Sequence, residues 1–267
     1  MGLSEGKEKR GAISKILITG ASGFIASHLI KALPQENLIL LSRSEKLKTK
    51  YPKATFVQFS EEKIGELVVD SKPDVIVNLI GILVEKGNNT YEKVHFELTK
   101  RLVEAAKRVN LRKFIHISAL GVRPNSRSRY HQSKWKAEEF IRSSGVPYAI
   151  FRPSIVLGEE QKLYEDLRFF SRFTPIIPAP KMKVQPVSVE KVVDSVRKAI
   201  YGDVTGTFEL CGEKVMSMKE LFELVLSELG IKRLVVEVPK VFFLPAALVG
   251  IGLTFDQYLM MEDNICR

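Results

Sequence analysis

The stretch that most constrains this chain is Ile16 to Ala26, ILITGASGFIA, an apolar run of strand length that ends in glycine and opens into an amphipathic segment. Strand, tight glycine turn and helix in that order begin a βαβ unit. Gly20 permits the turn. Gly23 lets a phosphate approach backbone N–H groups at the helix N-terminus, where the helix dipole favours negative charge. Ala26 stands where a small residue lets helix and strand pack closely. With Ser22, Phe24 and Ile25 on the same turn, the spacing predicts a pyrophosphate cradle. A turn that uses glycine for geometry alone is the competing reading.

Further short apolar runs follow at Leu38–Leu41, Thr55–Val57, Asp74–Asn78, Lys113–Ser118 and Tyr148–Phe151. Between them lie helical patterns, clearest in Tyr91, Val94, Leu98, Leu102, Ala105 and Val109, whose steps of three and four make one apolar stripe. The strand runs are continuous rather than alternating, as when helices cover both sheet faces. Alternating strands and helices predict an α/β fold, a Rossmann doubly wound parallel sheet with right-handed crossovers. Residues 1–14 read as a flexible basic N-terminus and 15–158 as the dinucleotide-binding domain. Residues 159–267 read as a smaller mixed α/β lobe for substrate or partner, with 184–201 packing back on the first domain. In that lobe the proline-rich TPIIPAPKMKVQP excludes a regular helix. Ser188 is the expected N-cap of a helix running to Ile200, and Thr207–Leu210, Met218–Leu229 and Leu234–Val238 read as strand, helix and strand.

A length of 267 residues at 45% hydrophobic supports one sizeable core with an appended lobe, and 27% charged residues exclude a disordered chain or a membrane bundle. The net charge of +10 suits anionic partners. No basic stretch is interleaved with aromatics, so nucleic acid is set aside in favour of nucleotide phosphates. The two cysteines, Cys211 and Cys266, lack metal-ligand spacing; they read as free thiols in a reducing cytoplasm, with pairing as the alternative. No metal site is expected. The opening MGLSEGKEKRGAISK has neither the apolar core of a signal peptide nor the hydroxyl residue of a myristoylation signal. The apolar run Val241 to Leu253 is too short for a transmembrane segment and contains Pro245. It reads as a packed helix, with peripheral contact to a membrane or protein as the alternative.

The second strand ends Leu40-Leu41-Ser42-Arg43. An NAD-type ribose site wants a carboxylate there, about 20 positions beyond the glycine turn. Arg43, helped by Ser42, instead suits a 2′-phosphate, so NADP(H) is favoured and NAD(H) is the alternative. A solvated loop cation is the competing reading of Arg43. Tyr130 and Lys134, four apart on a helical pattern, share one face. A nearby ammonium stabilises a phenolate and brings a tyrosine within reach of proton transfer. A chance surface pair is the other reading. Ser118 ends a strand at the carboxyl edge, where ligands bind in open α/β sheets, and a hydroxyl there holds a substrate oxygen or the phenol.

Together the glycine turn, Asn78-Leu-Ile-Gly81, Ser118, the Tyr130/Lys134 pair and Arg152-Pro-Ser-Ile-Val-Leu-Gly158 resemble the extended and atypical short-chain dehydrogenase/reductase superfamily. NLIGIL, SALG, SRYHQSKWKAEE and RPSIVLGE look like its branch related to the NADPH-holding accessory subunit of respiratory complex I. The resemblance implies Tyr130 as proton donor, Lys134 as its partner and a ligand of the nicotinamide ribose, and Ser118 orienting a carbonyl. It further implies Leu79, Ile80 and Gly81 on the adenosine side, Pro153 among the cofactor-binding residues, and a homodimer through two long helices. His95 stands where an Asn is common and reads as a packed or hydrogen-bonded side chain. Ser60-Glu61 replaces a frequent Gly-Asp. Arg123, Arg127 and Arg129 read either as attracting an anionic substrate or as a solvated basic loop. The implied function is an NADP(H)-binding oxidoreductase acting on an unidentified small-molecule carbonyl or hydroxyl substrate. The alternatives are a nucleotide-holding structural or assembly protein with little turnover, and a sugar-nucleotide epimerase.

Overall fold

The computed structural model describes residues 13–250 and 252–267. Residues 1–12, most of the segment expected to be a flexible basic N-terminus, lie outside the described residues, as does Ile251 within the 241–253 apolar run. The chain runs β1 (Ile16–Thr19), α1 (Phe24–Lys31), β2 (Leu38–Ser42), α2 (Lys46–Lys50), β3 (Thr55–Gln58), α3 (Ile64–Ser71) and β4 (Val75–Asn78). A π-helical turn at Glu92–Glu97 leads into α4 (Leu98–Ala106), then β5 (Lys113–Ile117), α5 (Arg129–Ser143) and β6 (Tyr148–Pro153). There follow β7 (Val156–Leu157), α6 (Lys162–Phe170), β8 (Ile176–Pro180), β9 (Lys183–Val184), β10 (Val187–Ser188), α7 (Val189–Tyr201) and β11 (Gly206–Leu210). The chain continues through β12 (Met216–Ser217), α8 (Met218–Glu228), β13 (Leu234–Val238), α9 (Leu244–Val249) and α10 (Phe255–Leu259).

Seven strands form one parallel sheet in the order β11-β6-β5-β4-β1-β2-β3. Its central strands are buried on both faces, which is why their sequences are unbroken apolar runs. Ile16, Ile18, Leu38, Leu40, Val75 and Val77 pack on one side with α1 and α7. Leu17, Leu41 and Ile76 pack on the other with α3, α4 and α5. The order reverses at β1, between β2 and β4, so connections leave in opposite directions and open a crevice at the carboxyl ends, where open α/β sheets bind ligands. The chain returns to this sheet late: α7 lies in the core with α1, its N-cap Ser188 accepting the Lys191 N–H, and β11 extends the β6 edge.

A second core gathers Tyr164 and Leu167 of α6 and Leu221, Val225 and Leu226 of α8 over Ile177, Ala179 and Val235 of the ribbon β8–β13. The proline-rich stretch is therefore a strand. It tolerates Pro178 and Pro180 because β8 has one strand partner.

Two expectations are corrected. Cys211 and Cys266 are not free thiols but a disulfide. Asn264 donates its N–H to Lys183 and accepts from Gln185, the Cys266 N–H reaches Gln185 Oε1 at 3.1 Å, and the Arg267 N–H reaches Glu209 Oε2 at 3.1 Å, which lays this segment beside β9 and β11. With that pairing no free thiol remains among the described residues to point to a reducing cytoplasm. The run from Val241 is not one helix either: a 3-10 turn at Lys240–Phe243 leads into α9, which Gly250 ends at φ +71°. Among the described residues no helix is long and apolar enough to cross a membrane.

Candidate active site

Gly20 adopts φ +64°, and a β-carbon there would meet the Leu79 carbonyl at 2.9 Å and the Ile80 nitrogen at 3.0 Å. The glycine turn thus lies directly against the exit of β4, where the sequence placed Leu79, Ile80 and Gly81. Gly23 caps α1 without a side-chain hydrogen bond, and the first turn holds no acidic residue, leaving the helix start suited to an anion. Ser22 and Gly23 are exposed, with Phe24 and Ile25 half-buried behind them. Gly158 admits the Phe24 ring, since a β-carbon at 158 would overlap it.

Beneath the turn, buried Asn78 ties the strands together. Its Oδ1 accepts Thr19 Oγ1 at 2.8 Å and the Ile80 N–H at 3.3 Å; its Nδ2 donates to Thr99 Oγ1 at 3.0 Å and to His116 Nδ1 at 3.1 Å. Burial, then the Lys134 charge, holds His116 well below the usual histidine range.

Helix α5 starts with three backbone N–H groups capped by two side chains. Ser128 Oγ accepts the His131 N–H, while Asp256 accepts the Arg129 and Tyr130 N–H groups at 2.6 and 3.2 Å and the Ser128 hydroxyl at 2.8 Å. Tyr130 is 7% exposed, its ring 5.7, 5.1 and 5.4 Å from those of Tyr91, His95 and His131. Burial, with Tyr91 adding, raises its phenol above the usual range, opposite to the lowering expected from Lys134 four residues on, and the phenol is protonated at neutral pH. One turn on, Lys134 Nζ donates to the Ile117 carbonyl at 3.0 Å and lies 3.4 Å from where a β-carbon on Gly81 would sit. Burial pushes this ammonium down to about 8, with Glu138 partly offsetting it.

A loop over residues 82–90 is fastened to the side chains that ring the tyrosine. The Ile82 N–H donates to His95 Nε2 at 3.1 Å, His95 Nδ1 meets Ser133 Oγ at 2.8 Å, and the Tyr91 hydroxyl donates to the Leu83 carbonyl. Glu85 accepts the Tyr91 N–H and pairs with Arg129 at 3.0 Å. Burial, Lys134 and His116 push His95 down to about 2, so it is a neutral, hydrogen-bonded core side chain.

Ser118 is placed differently from Tyr130 and Lys134. Its hydroxyl donates to Glu138 Oε1 at 2.5 Å, and Glu138 is fully buried with Arg152 at 2.6 Å and Arg142 at 2.9 Å. Glu138 lies about 12 Å along α5 from Tyr130, at about 1.5 Å per residue. Pro153, next to Arg152, is buried and accepts the Leu120 N–H. Sequence reasoning missed Glu138 and Asp256 as partners. Of the three loop arginines, Arg123 pairs with Glu262 and Arg129 with Glu85, while Arg127 is exposed.

At the end of β2, Ser42 is buried and accepts the Ser44 N–H. Arg43, 58% exposed, pairs with Glu61 at 2.7 Å and stacks on Phe59. Lys93 meets the same carboxylate at 2.6 Å, and Arg101 donates to the Glu61 carbonyl. The Lys93 hydrogen bond, more than the surrounding charges, holds Glu61 below the usual carboxylate range. Three cations therefore surround one acid.

A glycine turn feeding an uncapped helix start, at the crevice where strand order reverses, defines a Rossmann-type α/β protein. The chain belongs to the NAD dependent epimerase/dehydratase family, whose model matches residues 16–181. It is 29% identical over 245 residues to the mitochondrial NADH-ubiquinone oxidoreductase 40 kDa subunit of Neurospora crassa, covering 86% of this chain and 64% of that one. This chain thus spans less than two thirds of that relative's length. In fold it is similar to the Bordetella bronchiseptica enzyme WbmG in complex with NAD, at TM-score 0.71 and 17% identity over 87% of this chain and 83% of that one. It is likewise similar to the dTDP-4-dehydrorhamnose reductase of Bacillus anthracis in complex with NADP, at TM-score 0.68 and 16% identity over 92% and 97%.

Proposed function

We propose that this chain is an NADP(H)-binding oxidoreductase that reduces a small-molecule carbonyl or oxidises the matching alcohol. The observation carrying this reading is the convergence of the Lys134 ammonium, Gly81 and the Gly20 turn on one crevice, with Tyr130 one turn along the same helix. Gly20, Ser22, Gly23, Phe24 and Ile25 form the pyrophosphate cradle, Leu79, Ile80 and Gly81 the adjoining wall, and Lys134 the ribose ligand. A bound nicotinamide supplies or accepts the hydride. Tyr130, protonated at neutral pH, gives its proton to the substrate oxygen in the reducing direction, and displacement of the 82–90 loop opens the way to it. Ser118, whose hydroxyl is bound to Glu138, anchors the β5 exit to α5 rather than orienting the carbonyl. Residues 15–158 carry the cofactor, and 159–267 supply substrate or partner contacts.

The preference for NADP(H) rests on Arg43, Lys93 and Arg101 around the single carboxylate of Glu61, a surplus of positive charge that suits a 2′-phosphate. Titration with NADPH and NADH tests it. Arg43→Ala is expected to weaken NADPH about tenfold and leave NADH unchanged, consistent with one charge-assisted contact. Tighter NADH binding that ignores the substitution would sink the preference.

The decisive experiment looks for co-purifying NADP(H), then measures hydride exchange with a carbonyl panel. Tyr130→Phe is expected to lower turnover by about 100-fold or more. A second reading, a nucleotide-holding structural protein, is favoured by the burial of Tyr130 and the commitment of Ser118 to Glu138. Tightly held cofactor with no turnover across the panel supports it instead.

A further inference from the structure

The ribbon β8–β13 has two unlike faces. Ile177, Ala179 and Val235 face α6 and α8, whereas the register partners Ile176 and Leu234, and then Pro178 and Val236, lie uncovered on the other side. Ile176 is 49% exposed and Leu234 60%. The apolar surface continues at both ends. Phe169 on α6 and Phe173 three residues beyond its end have rings 5.0 Å apart, and Phe173, at 73% exposure, runs through Thr174 and Pro175 straight into β8. Beyond β13 the chain presents Val241 and Phe242, then Leu248 and Val249 on α9, all more than half exposed, and Gly252 returns against Phe170. Contiguous exposed apolar surface of this kind marks a docking face.

Its charge identifies the occupant. From Leu167 to Lys183 and from Gly230 to Gly250 there are seven Lys and Arg residues and one acid, Glu237, a net +6 of the chain's +10. Among the described residues none of these seven is ion-paired. Protein interface cores are depleted in lysine, while uncompensated cations around protruding aromatic and aliphatic side chains match an anionic lipid surface. We infer that the uncovered β8–β13 face, with the end of α6 and the 241–249 segment, docks on the surface of an anionic lipid bilayer. The inference is independent of whether the bound dinucleotide reacts.

Co-sedimentation of the full chain with vesicles of phosphatidylcholine, and of phosphatidylcholine mixed with phosphatidylserine, tests this. Binding is expected to the mixed vesicles alone and to weaken as salt rises. Arg168→Glu with Arg172→Glu removes two favourable charges and is expected to weaken binding by about 25-fold or more. Phe173→Ser with Phe242→Ser is expected to weaken it too, while Tyr201→Ser, at an exposed aromatic elsewhere, leaves it unchanged. An unchanged circular-dichroism melting curve shows that each variant is folded. Absence of vesicle binding, equal binding to both compositions, or indifference to the Phe173/Phe242 pair overturns the inference. So does a concentration-dependent dimer that this pair abolishes in the absence of vesicle binding, which would make a second copy the occupant.

Discussion

The Asp256 carboxylate accepts the backbone N–H of Tyr130 at 3.2 Å, across 126 positions of sequence. It also takes the Arg129 N–H and the Ser128 hydroxyl, so donors at the start of the tyrosine helix are satisfied by a residue of α10. Asp256→Ala is expected to cost about 1–2 kcal/mol of stability, the usual loss of an N-cap, and to weaken dinucleotide binding through the displaced Lys134. Asp256→Asn, which keeps an acceptor, falls between. Urea denaturation and nucleotide titration of the three proteins check the order.

Gly20→Ala addresses the turn. The positive φ costs a β-carbon about 1 kcal/mol, and contact with the Leu79 carbonyl adds to it because backbone on both sides must give. The expected result is a lower melting temperature and loss of measurable dinucleotide binding. Gly145→Ala, also at positive φ but with open space around it, pays the backbone cost and retains binding.

Lys134 makes stability depend on pH in a definite sense. Its folded pKa of about 8 lies below the unfolded 10.5, so between these values the unfolded chain holds the proton more tightly. The burial penalty is fully present below pH 8, and stability rises as pH climbs from about 8 to 10.5. Lys134→Met is expected to remove that rise, seen by comparing denaturant midpoints of both proteins across the window. Nucleotide affinity of the parent chain is expected to fall above pH 8, as the cation that would face the cofactor is lost.

Glu138→Ala leaves the Arg152 guanidinium without its carboxylate and the Ser118 hydroxyl without its acceptor. Breaking a buried pair from one side costs about 3–5 kcal/mol. Denaturant unfolding is the measurement, and a loss below about 1 kcal/mol, the level of an exposed pair, would show that the cluster is not stabilising.

What was legible in the sequence follows from how local each cause is. The runs at Ile16–Thr19, Leu38–Ser42 and Val75–Asn78 declare a sheet covered on both faces because every side chain in them is buried. Ser188 declares a cap because its acceptor and the Lys191 N–H are three residues apart. Tyr130 and Lys134 share a helix face by spacing alone. What stayed hidden depends on tertiary placement. Glu138 sits in a charged stripe that reads as solvated until Arg152 and Ser118 are brought to it from β6 and the end of β5. The strand character of TPIIPAP depends on β13, whose Leu234 pairs with Ile176. Arg43 reads as free until Glu61 arrives beside it.

The Cys211–Cys266 bridge encloses β12, α8, β13, α9 and α10 within one covalent ring. A protease that cuts anywhere between residues 212 and 265 therefore opens the ring without releasing a fragment. The nicked chain keeps its full mass and separates into two pieces only on reduction. Cleavage of the exposed 241–249 segment would pass unnoticed on a non-reducing gel, while both halves of the apolar face stay tethered to the nucleotide-binding sheet.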